Sequence, residues 1–127
     1  MEKCGRLRPM QLSSPAAGRN LAPITSVLDV RLPAAGTVLE IASGPGQHAL
    51  AFAKRYANLV WQPTDVGASA LSSINAWADD ASVANLLPAF HLDAASPDWP
   101  SLVPFEASAM LAVNLCHIAP WQVTVGL

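Results

Sequence analysis

Between Val38 and Gln47 the chain reads Val-Leu-Glu-Ile-Ala-Ser-Gly-Pro-Gly-Gln, an apolar run broken by small residues. A glycine turn between a buried strand and a helix lets a ligand come close to the backbone, because no Cβ stands in the way. The amides that open the following helix lack partners and offer donors to an anionic or polar ligand group. Such a turn also serves as a plain connection, so alone it leaves binding open. Two acids add chemistry. Asp65 lies nineteen positions after Gly46, just past a second apolar run, where a carboxylate can accept hydrogen bonds from both hydroxyls of a ribose. Asp93 occupies the matching place after a third run. Each acid could equally cap a helix. In a parallel sheet, however, Glu40, Asp65 and Asp93 would all face one crevice at the carboxyl ends of the strands.

A fourth unit ends Asn114-Leu115-Cys116-His117-Ile118-Ala119-Pro120-Trp121, which brings an amide and an imidazole to the same rim. Asn114 could hold a polar substrate group, or present its backbone carbonyl to a cationic ligand. His117 could act as a base near neutral pH or be structural only. His48, on the first turn after the glycines, could reach a ligand or sit on the helix surface. Trp61, Trp77, Trp99 and Trp121 have no basic residues interleaved, so they read as core or pocket wall rather than a stacking platform for nucleic acid. With no CxxC, HExxH or clustered acids at ligand spacing, no metal is expected.

The elements that must position these residues follow from apolar spacing. Leu21, Ile24, Leu28 and Leu32 recur at helical intervals, and Pro33 and Gly36 end that helix. Thr37 to Ala42 reads as a buried strand, and Ala49, Phe52, Ala53 and Tyr56 mark one face of a crossover helix. Leu59 to Gln62 is a second strand, Ser69 to Ala81 a helix through Leu71, Ile74 and Ala78, Leu87 to Leu92 a third strand and Met110 to Leu115 a fourth. Pro120 and Trp121 open another helix. This alternation predicts an α/β fold of right-handed βαβ units on a parallel sheet. Residues 1–17, basic and rich in Ser and Pro without periodicity, read as a flexible extension, and residues 18–127 as one domain.

Hydrophobic residues make up 52% of the chain and charged ones 13%, which supplies a two-faced core and argues against disorder. Seven basic and nine acidic residues leave a net charge of -2, so nothing electrostatic points to nucleic acid. The apolar stretch from Ala107 to Cys116 is too short to span a bilayer, and no apolar segment follows Lys3, Arg6 and Arg8 as a secretory signal requires. Two distant cysteines, Cys4 and Cys116, suggest reduced thiols and an intracellular, cytoplasmic setting.

The residues in this order resemble the class I S-adenosylmethionine-dependent methyltransferases, and more narrowly a small methyltransferase-like family that includes methyltransferase-like protein 26. The likeness runs from about Gln11 through Ser14-Pro15-Ala16-Ala17, Arg19-Asn20, Pro23-Ile24, the Val38–Gly44 run, Gly46-Gln47-His48, Trp61-Gln62-Pro63, Asp65, Leu92-Asp93, Asn114, His117-Ile118 and Pro120-Trp121. The resemblance implies a Rossmann-like sheet with flanking helices, the first four strands of that fold. It also implies S-adenosylmethionine as cofactor. In that reading Glu40 and the Gly44–Gly46 loop surround the methionine part, Asp65 holds the ribose, and Asp93 faces the adenine amino group. Asn114 lines the transfer site, and Arg19, Asn20, Ala42, Ser43 and His48 complete the cofactor-binding set. Ala42 replaces the first glycine of the general pattern, as is usual in the narrower family, whereas Pro45 and Gly18 depart from it.

The family continues past this length, so the expectation is a partial domain with residues 1–9 as an extension before Met10. It would carry an unpaired fourth strand open to self-association. Function is then expected to be methyl transfer to an unidentified acceptor, with Asn114 and His117 as the catalytic candidates. The alternatives are a noncatalytic truncated isoform or interaction module, and an NAD(P)-binding oxidoreductase. The last fits because Gly44-Pro45-Gly46-Gln47-His48-Ala49 also satisfies G-x-G-x-x-A with Asp65 downstream.

Overall fold

The computed structural model describes residues 10–113, Leu115 and residues 120–127. Four parallel strands, β1 (Gly36–Ile41), β2 (Leu59–Asp65), β3 (Phe90–His91) and β4 (Ala109–Ala112), form one sheet in the order β3-β2-β1-β4. The helices are α1 (Pro15–Arg31), α2 (Gln47–Arg55), α3 (Ala68–Ala81) and α4 (Trp121–Gly126), with a 3-10 turn at Trp99–Leu102. This is the parallel α/β architecture that the alternating pattern predicts.

Alternation along β1 divides the core between two faces. Val38 packs with Leu28, Ala49, Phe52, Ala53 and Trp61, while Leu39 and Ile41 pack with Leu92, Ala94, Trp99 and Leu115 on the other side. The predicted stripe of α1, Leu21, Ile24, Leu28 and Leu32, lies against the first cluster. One exposed tether joins α1 to α2: Arg55 forms a bidentate pair with Asp29, which also accepts from the Tyr56 hydroxyl and is held down at a pKa of about 2, chiefly by the Arg55 hydrogen bonds.

Three boundaries differ from expectation, each for a local reason. The first helix begins at Pro15 rather than Leu21, with proline in its first turn, where a missing N–H costs nothing. Residues 11–17 are also tied down. Leu12 N–H donates to Ser73 Oγ at 2.8 Å, Ser14 N–H to Gln47 Oε1 at 2.9 Å, and the Trp77 indole to the Leu12 carbonyl at 3.0 Å. That corrects the reading of this stretch as flexible, since backbone amides caught by side chains leave no apolar period to read.

Strand β2 continues past Gln62, through Pro63, to Asp65. The third strand shrinks to Phe90–His91. Leu86 and Leu87 pair with Trp61 upstream, and Pro88, which has no N–H, interrupts the ladder between the two stretches. Gln62 Nε2 donates to the Pro88 carbonyl and Ala89 N–H to Asn75 Oδ1, so side chains carry the bonds that the ladder drops. β4 lies at the edge of the sheet, paired on one side with β1; its expected continuation to Leu115 runs through Asn114, outside the described residues.

Phe52 is fully buried, 5.4 Å from the Trp61 ring and 6.4 Å from Tyr56. Phe52→Ala is expected to lower the unfolding free energy by about 3–5 kcal/mol, as measured by urea denaturation.

Candidate functional site

The junction of β1 and β2 sets the site. Their register runs from Gly36 opposite Leu59 to Glu40 opposite Pro63, so both strands finish at the same level. Pro63 cannot donate, and side chains take over beyond it. Thr64 Oγ1 donates to the Glu40 carbonyl at 2.7 Å, Ser43 N–H to the Thr64 carbonyl at 2.8 Å, and Thr64 N–H to Ser43 Oγ at 3.1 Å. This knot, with Ser43 and Thr64 both buried, turns the chain sharply after β1. Ala42 takes φ +54° and Gly44 φ +61°, both left-handed.

Asp65 then closes the junction. Its Oδ2 accepts the Gly44 N–H and its Oδ1 the Gly67 N–H, each at 2.9 Å. The Gly44 amide is therefore committed to Asp65, while the amides that the sequence reading offered to a ligand are those that open α2. A carboxylate has about four acceptor positions, so the two that Asp65 uses leave room for further donors.

Above this junction lies a cavity of about 430 Å³. Its lining comprises Ile41, Ala42 and Gly44 after β1, Asp65 and Val66 after β2, Leu92 to Ala95 after β3, and the apolar Leu115, Pro120 and Val123. Asp93, half-buried, accepts the Ala95 N–H through Oδ1 at 2.9 Å. Of the residues singled out from sequence, Ala42, Gly44, Asp65 and Asp93 come to this wall. Glu40, Ser43, Gly46 and His48 do not line it. His48 Nε2 donates to the Ala17 carbonyl at 2.8 Å, and Arg19, exposed, and Asn20, half-buried, lie on the first turns of α1 away from the lining. Asn114, His117, Cys4 and Cys116 lie outside the described residues.

The two loop glycines have different duties. A Cβ at Gly44 would meet nothing within 4 Å, which leaves an open backbone beside the cavity. A Cβ at Gly46, at φ +92°, would come within 2.8 Å of Ile74 Cα, so this glycine is required for α3 to pack against the loop. Ala42 is a non-glycine residue held left-handed on the cavity lining, a conformation that costs about 1–2 kcal/mol.

Glu40 is buried, 2% exposed, on the α2 face of β1, and the Trp61 indole donates to its Oε2 at 2.6 Å. Burial raises its pKa to about 7, against the pull of the Trp61 hydrogen bond, and the charge of Asp65 pushes the same way as burial. The apolar wall and the Trp61 partner were missed in sequence. Leu115, Pro120 and Val123 carry no chemistry to mark them, and an indole donor looks like any core tryptophan. Among the described residues no group of three His, Cys, Asp or Glu could hold a metal, and no helix is long and apolar enough to cross a membrane.

Comparison with known proteins gives the geometry a family. The DUF938 family, described as proteins of unknown function, matches residues 11–127. The chain belongs to this family. The DUF938 fold is shared with solved structures of low identity. One is a SAM-dependent methyltransferase from Thiobacillus denitrificans in complex with S-adenosyl-L-homocysteine, with a TM-score of 0.60 and 21% identity over 98% of this chain and 48% of that one. Another is a SAM-dependent methyltransferase from Geobacter sulfurreducens, also in complex with S-adenosyl-L-homocysteine, with a TM-score of 0.58 and 18% identity over 97% and 45%. The YcgJ protein of Bacillus subtilis superposes with a TM-score of 0.64 at 17% identity over 86% and 44%. The chain thus spans about half the length of these proteins, and the four parallel strands with flanking helices are Rossmann-like.

Two outcomes follow. Gly46→Ala should lower the unfolding free energy by about 2–4 kcal/mol through overpacking against α3 and left-handed strain, and Gly44→Ala by only about 1–2 kcal/mol from strain alone, read in parallel denaturant melts. The raised pKa of Glu40 means that the folded state holds a proton that the unfolded chain releases between pH 4.5 and about 7. Stability should therefore fall as pH rises through that window, and Glu40→Gln should remove this component of the fall, measured by thermal melts at fixed ionic strength.

Proposed function

We propose that this chain carries the cofactor-binding part of an S-adenosylmethionine-dependent methyltransferase acting on an unidentified acceptor. The observation that carries the reading is the meeting of Gly44, Asp65 and Asp93 on the wall of one cavity at the carboxyl ends of parallel strands. The donor set suits an adenosyl group: Asp65 has acceptor capacity left for two ribose hydroxyls, and Asp93 keeps Oδ2 for an exocyclic amino group. Ile41, Leu92 and Leu115 offer the apolar faces against which a base can stack, and the cavity volume falls within the range of small-ligand sites. The structural likeness to two proteins solved with S-adenosyl-L-homocysteine supports the same reading.

When bound, the cofactor would supply an electrophilic methyl on a sulfonium, and an acceptor's lone pair would take that methyl as the carbon–sulfur bond breaks. The protein's part is orientation and exclusion of water, not covalent catalysis. Asn114 and His117 follow β4, whose carboxyl end points to the same side of the sheet as the Gly44 loop, and on this reading they serve the acceptor. The likeness to the small methyltransferase-like family refines the proposal without naming the acceptor. The test is titration calorimetry with S-adenosylmethionine, S-adenosyl-L-homocysteine and NAD. Binding of the first two is expected, weakened at least tenfold in Asp65→Ala, which loses two hydrogen bonds to a charged group. Binding of NAD alone would favour an oxidoreductase instead.

A further inference from the structure

We propose that Ser73 is a positioning residue that couples residues 11–17 to the glycine loop, so that docking of this N-terminal strap and occupation of the cavity favour each other. The inference deepens the S-adenosylmethionine reading and rests on it for the ligand. Ser73, on α3, is fully buried, and its hydroxyl serves two segments at once. It donates its proton to the Pro45 carbonyl at 2.7 Å and accepts the Leu12 N–H at 2.8 Å on a lone pair. The next residue of α3, Ile74, is the one against which Gly46 packs so closely that a Cβ there would come within 2.8 Å of Ile74 Cα. Adjacent residues of α3 thus hold Pro45 and Gly46. Neither Ser73 nor Ile74 lines the cavity, whereas Gly44, bonded directly to Pro45, does. The proline ring fixes φ at Pro45, so the bond from its carbonyl to Ser73 sets the remaining angle and with it the path from Gly44 into α2.

The strap is held by side chains reaching from α2 and α3. Besides the bond from Leu12 to Ser73, the Trp77 indole donates to the Leu12 carbonyl at 3.0 Å and Gln11 Nε2 to the Ala76 carbonyl at 3.2 Å. Gln47 Oε1 accepts the Ser14 N–H at 2.9 Å, and His48 Nε2 donates to the Ala17 carbonyl at 2.8 Å. Gln47 and His48 are the first residues of α2, directly after Gly46, so the strap meets the loop at Pro45 through Ser73 and again where the loop enters the helix. None of residues 11–17 is buried, and a segment held by hydrogen bonds more than by apolar area opens locally before the core does. A ligand seated against Gly44 orders the loop and keeps the Pro45 carbonyl on Ser73. The hydroxyl, polarised by donating, is then a better acceptor for the Leu12 N–H. By linkage, a docked strap strengthens ligand binding by the same factor by which the ligand strengthens docking.

The experiment uses the full chain with S-adenosyl-L-homocysteine as the probe, its binding read by calorimetry and the amides of Leu12 and Gly44 followed by hydrogen-exchange NMR. Ser73→Ala removes both bonds of the hydroxyl. Leu12→Pro removes only the N–H on the strap and leaves Ser73 and Pro45 as they are. Tyr56→Phe, which loosens α1 from α2 at the far end of α2, is the structural control. In the wild type the probe is expected to slow exchange at Leu12 about tenfold, and Ser73→Ala and Leu12→Pro are each expected to weaken binding about tenfold. The double variant should bind no more weakly than either single one, because both cut one link. Bound probe without slower exchange at Leu12, full affinity in Leu12→Pro, losses that add in the double variant, or an equal loss in Tyr56→Phe overturns the proposal. Should Ser73→Ala fail to fold, Leu12→Pro decides by its affinity and by faster exchange at Gly44. If the wild-type chain binds neither S-adenosylmethionine nor S-adenosyl-L-homocysteine, the methyl-donor reading fails separately. Exchange at Gly44 in the unliganded Leu12→Pro variant then tests the coupling by itself: faster exchange supports it, and an unmoved rate overturns it.

Discussion

The site depends on the pairing of β1 with β2. Five consecutive residue pairs bring the two strand ends level, and that coincidence lets one carboxylate, Asp65, reach the amide of Gly44 across the seam and that of Gly67 in its own loop. A slip of one residue would turn Glu40 into the other face and carry Asp65 away from the glycine turn. The seam would ordinarily be weakened by Pro63, but Thr64 and Ser43 replace the absent donor with a mutual pair of bonds and a third to the Glu40 carbonyl. A proline in a central strand is thus tolerated because the next residue has a hydroxyl and the facing turn has another.

Once the seam is fixed, the rest of the cavity follows from chain connectivity. Parallel strands present their carboxyl ends on one side, so the segments after β1, β2 and β3 meet there. What differs is how each segment is held. Asp65 is tied to two amides and Asp93 to one, whereas Ala42 is held by the turn itself at a backbone angle that glycine would adopt at less cost. Strain at Ala42 that a glycine could relieve and an open backbone at Gly44 therefore both lie on the cavity lining.

Much of this was legible in the sequence, and the reason is periodicity. The stripe Leu21, Ile24, Leu28, Leu32 and the face Ala49, Phe52, Ala53 survive in the structure because burying an apolar face dominates helix placement. The run ending in Ser43-Gly44-Pro45-Gly46 exposed the turn, and Asp65 and Asp93 stood where strand ends predict. Legibility failed wherever side chains replaced backbone bonding. The early start of α1 rests on Ser73, Gln47 and Trp77, and the shortened β3 on Gln62 and Asn75, all remote in sequence from the segments they hold. The two glycines could not be told apart either, since only the position of Ile74 shows that Gly46 is a packing residue and Gly44 an open one.

Glu40 shows the same limit in its sharpest form. Position and type suggested a carboxylate at the ligand rim; the structure turns it inward, against Trp61, on the face opposite Ile41. Sequence order could place it at a strand end but could not say which face of the sheet it takes, because a single pleat decides that. Its burial reverses the usual logic of an acid at a strand tip. Such a residue is normally solvated and free to meet a ligand directly, whereas here burial opposes the charge and Asp65, itself engaged with the loop, opposes it further. Asp65 cannot be moved without undoing the seam, and Glu40 cannot be solvated without opening the aromatic cluster. The two carboxyl groups are therefore held by different parts of the fold, Asp65 by the loop amides of Gly44 and Gly67 and Glu40 by the indole of Trp61.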